Sequence, residues 1–349
     1  MGELVSVNPV DGRQFASFPV FDEVQIEAAL QLAQERFQDW GKRSVTDRAE
    51  RLRQLAGALR GASERLAQLA TREMGKRLSE ARAEVEKCAS ACDYFAARGP
   101  DFLVDEMIAS DAGRSLVAWQ PLGPILLVMP WNFPFWQALR QAVPATLAGN
   151  TVLLKHASNV PGCAAALEEV FLEAGFPRGV FANLPVGSDR VASIIADARV
   201  RGVSLTGSES AGRAVAAAAG KALKKTVLEL GGSDAFVVLA DADLDETVTQ
   251  ALRARFQNNG ETCIAAKRFI VEEPVADAFV ERFRKGIEGL RVGDPMDETT
   301  DLGPLARKDL LKDLDDRCGA ASSPARAASP GGGAWSGRAS STRRRCSIA

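Results

Sequence analysis

A lone thiol, Cys263, closes the run Gly260-Glu261-Thr262-Cys263, thirty-four residues after Glu229 in Leu228-Glu229-Leu230-Gly231-Gly232. A thiol on a glycine-containing loop is a nucleophile once it is a thiolate. A carboxylate leaving a β-branched strand is a general base. A third polar group, Asn132, sits in Pro130-Trp131-Asn132-Phe133-Pro134, where two prolines stiffen the loop and the amide can hold an oxyanion. Together these residue types point to covalent catalysis at a carbonyl, with neither metal nor histidine taking part.

The rest of the composition narrows the alternatives. The single histidine, His156, would have to carry any Ser/His/Asp or Cys/His machinery alone, and a histidine zinc site lacks partners. The six cysteines form no C-x-x-C pair, which argues against zinc-ribbon and thioredoxin chemistry. Cys88 and Cys92 fall in a helical pattern and Cys163 in an alanine-rich one, so all three read as small core hydrophobes. A net charge of -2 gives no basic footprint for nucleic acid. No apolar run has the length of a membrane span and the N-terminus carries no signal-peptide pattern, so a cytoplasmic protein is expected. With 349 residues, 46% hydrophobic and 25% charged, the chain has the make-up of a soluble protein of two domains.

The elements that must position these groups follow from periodicity. Residues 22 to 98 repeat apolar positions at helical spacing, with Leu52, Leu55, Leu59, Leu66 and Leu69 interleaved with Arg and Glu. Residues 102–121 read as short strands and turns, suited to oligomerisation. From Ile125 onward, short apolar strands (125–129, 151–155, 180–184, 203–206, 226–230, 235–239) alternate with helices. That alternation predicts an α/β fold with a doubly wound parallel sheet covered on both faces. Ligands of such sheets gather at the carboxyl ends of the strands, where Asn132, Lys155, Gly207-Ser208 and Glu229 fall. The expected organisation is residues 1–237 as N-terminal helices and nucleotide-binding domain, then 238–317 as a partial second α/β domain carrying Cys263. The active site is expected in the cleft between them.

Neither G-x-G-x-x-G nor a P-loop occurs. Instead Thr206-Gly207-Ser208 ends a strand and opens a helix, aiming backbone N–H groups and the helix dipole at a pyrophosphate, although Gly and Ser also cap helices for structural reasons alone. Lys155 suits a ribose hydroxyl or phosphate equally with a solvated strand end. Taken together, Pro130-Trp-Asn-Phe-Pro134, Lys155-His156-Ala157-Ser158, Thr206-Gly-Ser208, Leu228-Glu-Leu-Gly-Gly232 and Gly260-Glu-Thr-Cys263 resemble the aldehyde dehydrogenase superfamily in order and spacing over about residues 1 to 317. Within it, the chain is most similar to bacterial succinate-semialdehyde dehydrogenases.

The resemblance implies an aldehyde dehydrogenase-like fold with a cofactor domain and a catalytic domain, the latter incomplete at the C-terminus. It assigns Cys263 as nucleophile, Asn132 with the Cys263 N–H as oxyanion donors, and Glu229 as the base that hydrolyses the thioester. Trp131, Asn132, Lys155, His156, Ala157, Ser158, Gly207, Ser208 and Leu230 would bind NADP or NAD. Family members that prefer NAD carry a glutamate three residues after the motif lysine. Serine at 158 removes that charge and predicts that NADP is accepted. Arg140 matches an arginine that binds the distal carboxylate of succinate semialdehyde, although a helix-surface ion pair explains it equally well, and Gln257 replaces a second arginine common in such enzymes. Full-length relatives are homo-oligomers acting on small aldehydes.

From Cys318 the composition changes to five Arg, eight Ala, seven Ser and five Gly with no Asp or Glu. The expectation is a disordered, out-of-frame tail, 318–349, on a truncated chain. The Glu-x-Phe-Gly-Pro segment with which the family continues is absent. The alternatives are therefore an inactive fragment that at most binds nucleotide, a dehydrogenase of another short aldehyde, and a thioester-forming reductase.

Overall fold

The computed structural model describes residues 2–321. The chain divides into two compact units. The first comprises the residues up to Val7 with Gln14–Ala70 and Ser79–Gly232; the second comprises Asn8–Arg13, Thr71–Leu78 and the chain from Ser233 onward. The division thus falls at Gly232/Ser233 rather than at 237/238, and two short upstream pieces group with the second unit. The physical reason is strand pairing, because the chain leaves one sheet at Leu230 and has joined another by Asp234.

The first unit opens with a hairpin that periodicity did not reveal, β1 (Glu3–Val7) antiparallel to β2 (Gln14–Pro19). The long helical stretch resolves into α1 (Glu23–Trp40), α2 (Val45–Gly61), α3 (Ser63–Met74) and α4 (Leu78–Phe102). Polar caps set the breaks. Asp22 and Gln25 form a reciprocal capping box at α1 (2.8 and 3.0 Å), and Ser44 Oγ accepts from Asp47 N at α2. The strands read in 102–121 are two residues each, β3 (Glu106–Met107) and β4 (Leu116–Val117), paired antiparallel.

The alternating half comprises β5 (Pro124–Val128), α5 (Trp136–Leu147), β6 (Thr151–Lys155), α6 (Pro161–Glu173), β7 (Phe181–Asn183), α7 (Val191–Ala196), β8 (Gly202–Gly207), α8 (Glu209–Lys221) and β9 (Lys225–Leu230). The sheet is wholly parallel, in the order β7-β6-β5-β8-β9. The chain winds outward one way from β5 and the other way from β8, so the switch point lies between those strands. Leu126, Leu153, Val203 and Leu205 pack with Ile26, Leu30 and Ala33 of α1, Ile194 and Ile195 of α7, and Val215 and Ala219 of α8. Alternate residues face the other way, toward α5 and α6. Cover on both faces, as expected, holds for β5, β6 and β8. It does not extend to β9, whose six residues are all exposed.

In the second unit β10 (Asp234–Val238) pairs parallel with β11 (Ala266–Val271), joined through α9 (Leu244–Phe256) and followed by α10 (Glu273–Gly289). Val238, Val248, Ala251 and Phe279 form its core with Phe236, Phe269 and Phe283. The last helix, α11, spans Lys308–Ala321. The rest of the expected tail, 322–349, lies outside the described residues. No helix among the described residues is long and apolar enough to cross a membrane.

Leu153 is fully buried at the centre of β6. Leu153→Ala is expected to lower stability by about 2–5 kcal/mol through lost transfer energy and a residual cavity, read as the shift in urea midpoint.

Candidate active site

Parallel register sets the level of the first unit's polar groups. Val128 pairs with Lys155 on one side and Leu205 on the other, and Thr206 pairs with Glu229. The carboxyl ends of β5, β6, β8 and β9 therefore lie along one edge, β8 and β9 reaching slightly beyond β5 and β6, and Asn132, Lys155, Gly207-Ser208 and Glu229 lie beside them. Asn132 follows β5 and Gly207-Ser208 closes β8, so these two loops flank the switch point.

The loop carrying Asn132 is held from below and from the side. Glu84 of α4, almost wholly buried, accepts the backbone N–H of Phe135 and of Trp136 through one oxygen, both at 2.8 Å. These are two of the donors that the start of α5 leaves without intrahelical partners. His156 sits beneath the same loop. Its Nδ1 accepts from Ala157 N at 2.9 Å, so the proton resides on Nε2, which donates to Pro134 O at 2.7 Å. Burial pushes the imidazole down to about 4, keeping it neutral. His156 therefore offers no free ring nitrogen to a cofactor; its work is to fix the loop.

Lys155, half-buried at the end of β6, has its ammonium pulled below the ordinary lysine range by desolvation, partly offset by Asp189. Three residues on, Ser158 is exposed and no carboxylate occupies that position. Ser208 caps α8, its Oγ accepting from Ala211 N at 3.3 Å, and Gly207 pairs with Leu230 beside it. Between β6 and α6, Asn159 has buried amide N and O atoms with no hydrogen-bond partner in the structure. An ammonium, a helix start and an unengaged amide on one sheet edge fit the phosphates and ribose of a dinucleotide.

Arg140 projects from α5 onto this edge. Its Nη2 donates to Thr206 Oγ1 at 3.0 Å and lies 3.7 Å from Glu229 Oε2, while its buried Nε–H has no partner. Glu229 and Thr206 share a face by register, so one guanidinium bridges both strands. The ion-pair reading of Arg140 is thus realised, and its partner is the carboxylate singled out as a base. Glu229 is about half-exposed, so the pair contributes little to stability and mainly sets where the carboxylate points.

Cys263 belongs to the second unit, where it is a free, half-buried thiol. It follows three successive left-handed residues, Asn258, Asn259 and Gly260, with φ of 55°, 57° and 77°. Thr262 Oγ1 ties back to Gln257 O at 3.1 Å, Lys267 Nζ donates to Cys263 O at 3.1 Å, and Glu261 Oε1 accepts from Ala306 N at 3.1 Å. Desolvation raises the Glu261 carboxyl to about 8, against weaker opposing effects of the Ala306 N–H, Lys76 and Arg307. Glu84, Asn259 and the role of Glu261 escaped the sequence reading. The Asn-Asn-Gly run was a usable signal, because asparagine and glycine tolerate left-handed backbone. Glu84 gave none inside a helical repeat.

The aldehyde dehydrogenase family model matches residues 2–340, beyond Arg317, where the resemblance was expected to end. This chain belongs to the aldehyde dehydrogenase family. It is 50% identical to a probable NADP(+) succinate-semialdehyde dehydrogenase of Synechocystis over 311 residues, covering 89% of this chain and 68% of that protein. It is likewise 50% identical over 310 residues to the NAD(P)+ succinate semialdehyde dehydrogenase Sad of Escherichia coli, covering 89% and 67%. The chain thus spans about two thirds of the length of these relatives. Among solved structures, succinic semialdehyde dehydrogenase from Streptococcus pyogenes in complex with NADP+ superposes with a TM-score of 0.88 at 38% identity, covering 90% of this chain and 69% of that one. Family membership makes the protein an oxidoreductase by descent, and its fold is that of its relatives.

Glu261 also makes a pH prediction. Its folded-state value lies above the ordinary 4.5, so its contribution to stability is complete below about 4.5 and is lost as pH rises through about 8. Melting temperature of the parent should fall across that window more than that of Glu261→Gln, and parallel curves would remove the effect.

Proposed function

We propose that the protein oxidises a short aldehyde, succinate semialdehyde foremost, to the carboxylic acid with NADP or NAD. The observation that carries this reading is the gathering of Asn132, Lys155, Gly207-Ser208 and Glu229 at one sheet edge around the switch point, in a chain that the aldehyde dehydrogenase family model matches over residues 2–340. The Cys263 thiolate adds to the aldehyde carbon, with the Asn132 amide and the Cys263 N–H as donors to the oxyanion. The bound nicotinamide supplies the hydride acceptor. Glu229 takes a proton from water as that water attacks the thioester, releasing the acid and the thiolate.

Lys155 and the start of α8 are the groups of this chain that would hold the dinucleotide, and Ser158 leaves room for a 2′-phosphate without charge repulsion. The relatives named for NADP+ support this reading. Arg140 would take the distal carboxylate through the Nε–H that has no partner in the structure.

Cys263→Ser is expected to abolish NADP-dependent turnover of succinate semialdehyde. Glu229→Gln should allow a first-turnover burst of reduced cofactor but slow steady-state hydrolysis on the order of 100-fold or more. Turnover that survives in Cys263→Ser would sink the nucleophile assignment, and no turnover in the parent would leave at most a nucleotide-binding role. For Arg140→Ala, KM should rise about tenfold or more for carboxylated aldehydes and little for uncharged ones of equal length, an equal loss on both counting against the carboxylate contact. NADP should match or exceed NAD in kcat/KM, and strong NAD preference would overturn the reading of Ser158.

A further inference from the structure

The run leading into the nucleophile is costly in itself. Asn258 and Asn259 hold positive φ beside Gly260, and left-handed non-glycine backbone persists only where its surroundings impose it. Within it, one side chain ties the turn to distant backbone through both ends of its amide. Asn259 Nδ2 donates to Gly75 O at 2.8 Å and to Pro304 O at 3.1 Å, while its Oδ1 accepts from Gly303 N at 2.9 Å. Both amide hydrogens and the amide oxygen are engaged, all with backbone groups of two other segments of the same unit. Those segments meet with no room for bulk. A Cβ on Gly303 would lie 2.1 Å from Gly75 O, and one on Gly75 would lie 2.7 Å from Pro304 O. The amide of Asn259 therefore sits at a backbone-to-backbone seam, four residues before the thiol. Glu261, accepting from Ala306 N, continues the attachment one step further along the same strip.

We propose that Asn259 is the positioning residue of the nucleophile, a clasp whose three hydrogen bonds fix the left-handed turn from which Cys263 is presented. The inference rests on the reading of Cys263 as nucleophile and adds which side chain sets its place. Asn259 touches neither substrate nor cofactor in this role; it acts through the backbone of residues 258–263. Aspartate at 259 keeps the shape but cannot donate to the two carbonyls. Glycine keeps the backbone freedom and removes the amide.

The test uses the full chain with Asn259→Asp and Asn259→Gly, measuring alkylation of Cys263 by iodoacetamide through peptide mapping, with kcat and KM alongside. Cys88 and Cys92, fully buried in the other unit, serve as internal reporters of global opening. Alkylation of Cys263 alone should quicken about threefold or more in both variants as the loop opens locally. At the same time kcat should fall on the order of 10- to 100-fold with KM little changed. Labelling and kcat within about twofold of the parent in Asn259→Gly would overturn the proposal. So would Cys88 and Cys92 labelling together with Cys263 in that variant, since Asn259 would then support global stability instead. Persistent turnover in Cys263→Ser would sink the nucleophile assignment but leave the labelling result to judge the clasp by itself.

Discussion

The parallel pairing of β5 with both β6 and β8 is the constraint on which the first unit depends. Because Val128 meets Lys155 on one side and Leu205 on the other, β5 and β6 end at one level with the end of β8 close beyond, and the chain turns in opposite directions from β5 and β8. Loops leaving β5 and β8 then diverge over the same edge, opening a crevice lined by backbone N–H groups and the residues that follow. Asn132, Ser208 and Glu229 owe their common setting to this register before any contact among side chains is counted. A one-residue slip of β9 would turn Glu229 to the opposite face and separate it from Thr206 and Arg140.

Much of this was legible in the sequence. The β6 boundaries agree with the apolar run 151–155, because a buried strand reads as an uninterrupted apolar stretch, and the remaining parallel strands lie within a few residues of their predicted places. The hairpin β1–β2 was not legible. Its residues are mostly exposed or half-buried, so no alternation marks them. The unit boundary was misplaced because Gly231-Gly232 looked like part of the glutamate motif, when it is also the point where the chain changes sheets. At the site, residue types announced the thiol, the carboxylate and the amide. The partners of their supports were silent, since Glu84 and Asn259 act on backbone groups far along the chain, and the Asn-Asn-Gly run signals only the left-handed turn.

Arg140 shows how one residue type can satisfy two readings. The sequence left substrate carboxylate and ion pair evenly balanced, and the structure supplies a carboxylate from within, Glu229 at 3.7 Å, with Thr206 fixing the approach. A guanidinium in this position ties the orientation of Glu229 to whatever else that guanidinium binds. Any anion drawn to Arg140 would also compete for the partner of Glu229.

His156, the only histidine, is spent on architecture. With Nδ1 accepting and Nε2 donating, protonating the ring would cost it the Ala157 hydrogen bond, and burial keeps it neutral down to about pH 4. The shape of the Asn132 loop is thereby insulated from acidity throughout the range in which imidazole ordinarily switches. Whatever pH profile this chain displays has no imidazole to soften or trigger it above about pH 4.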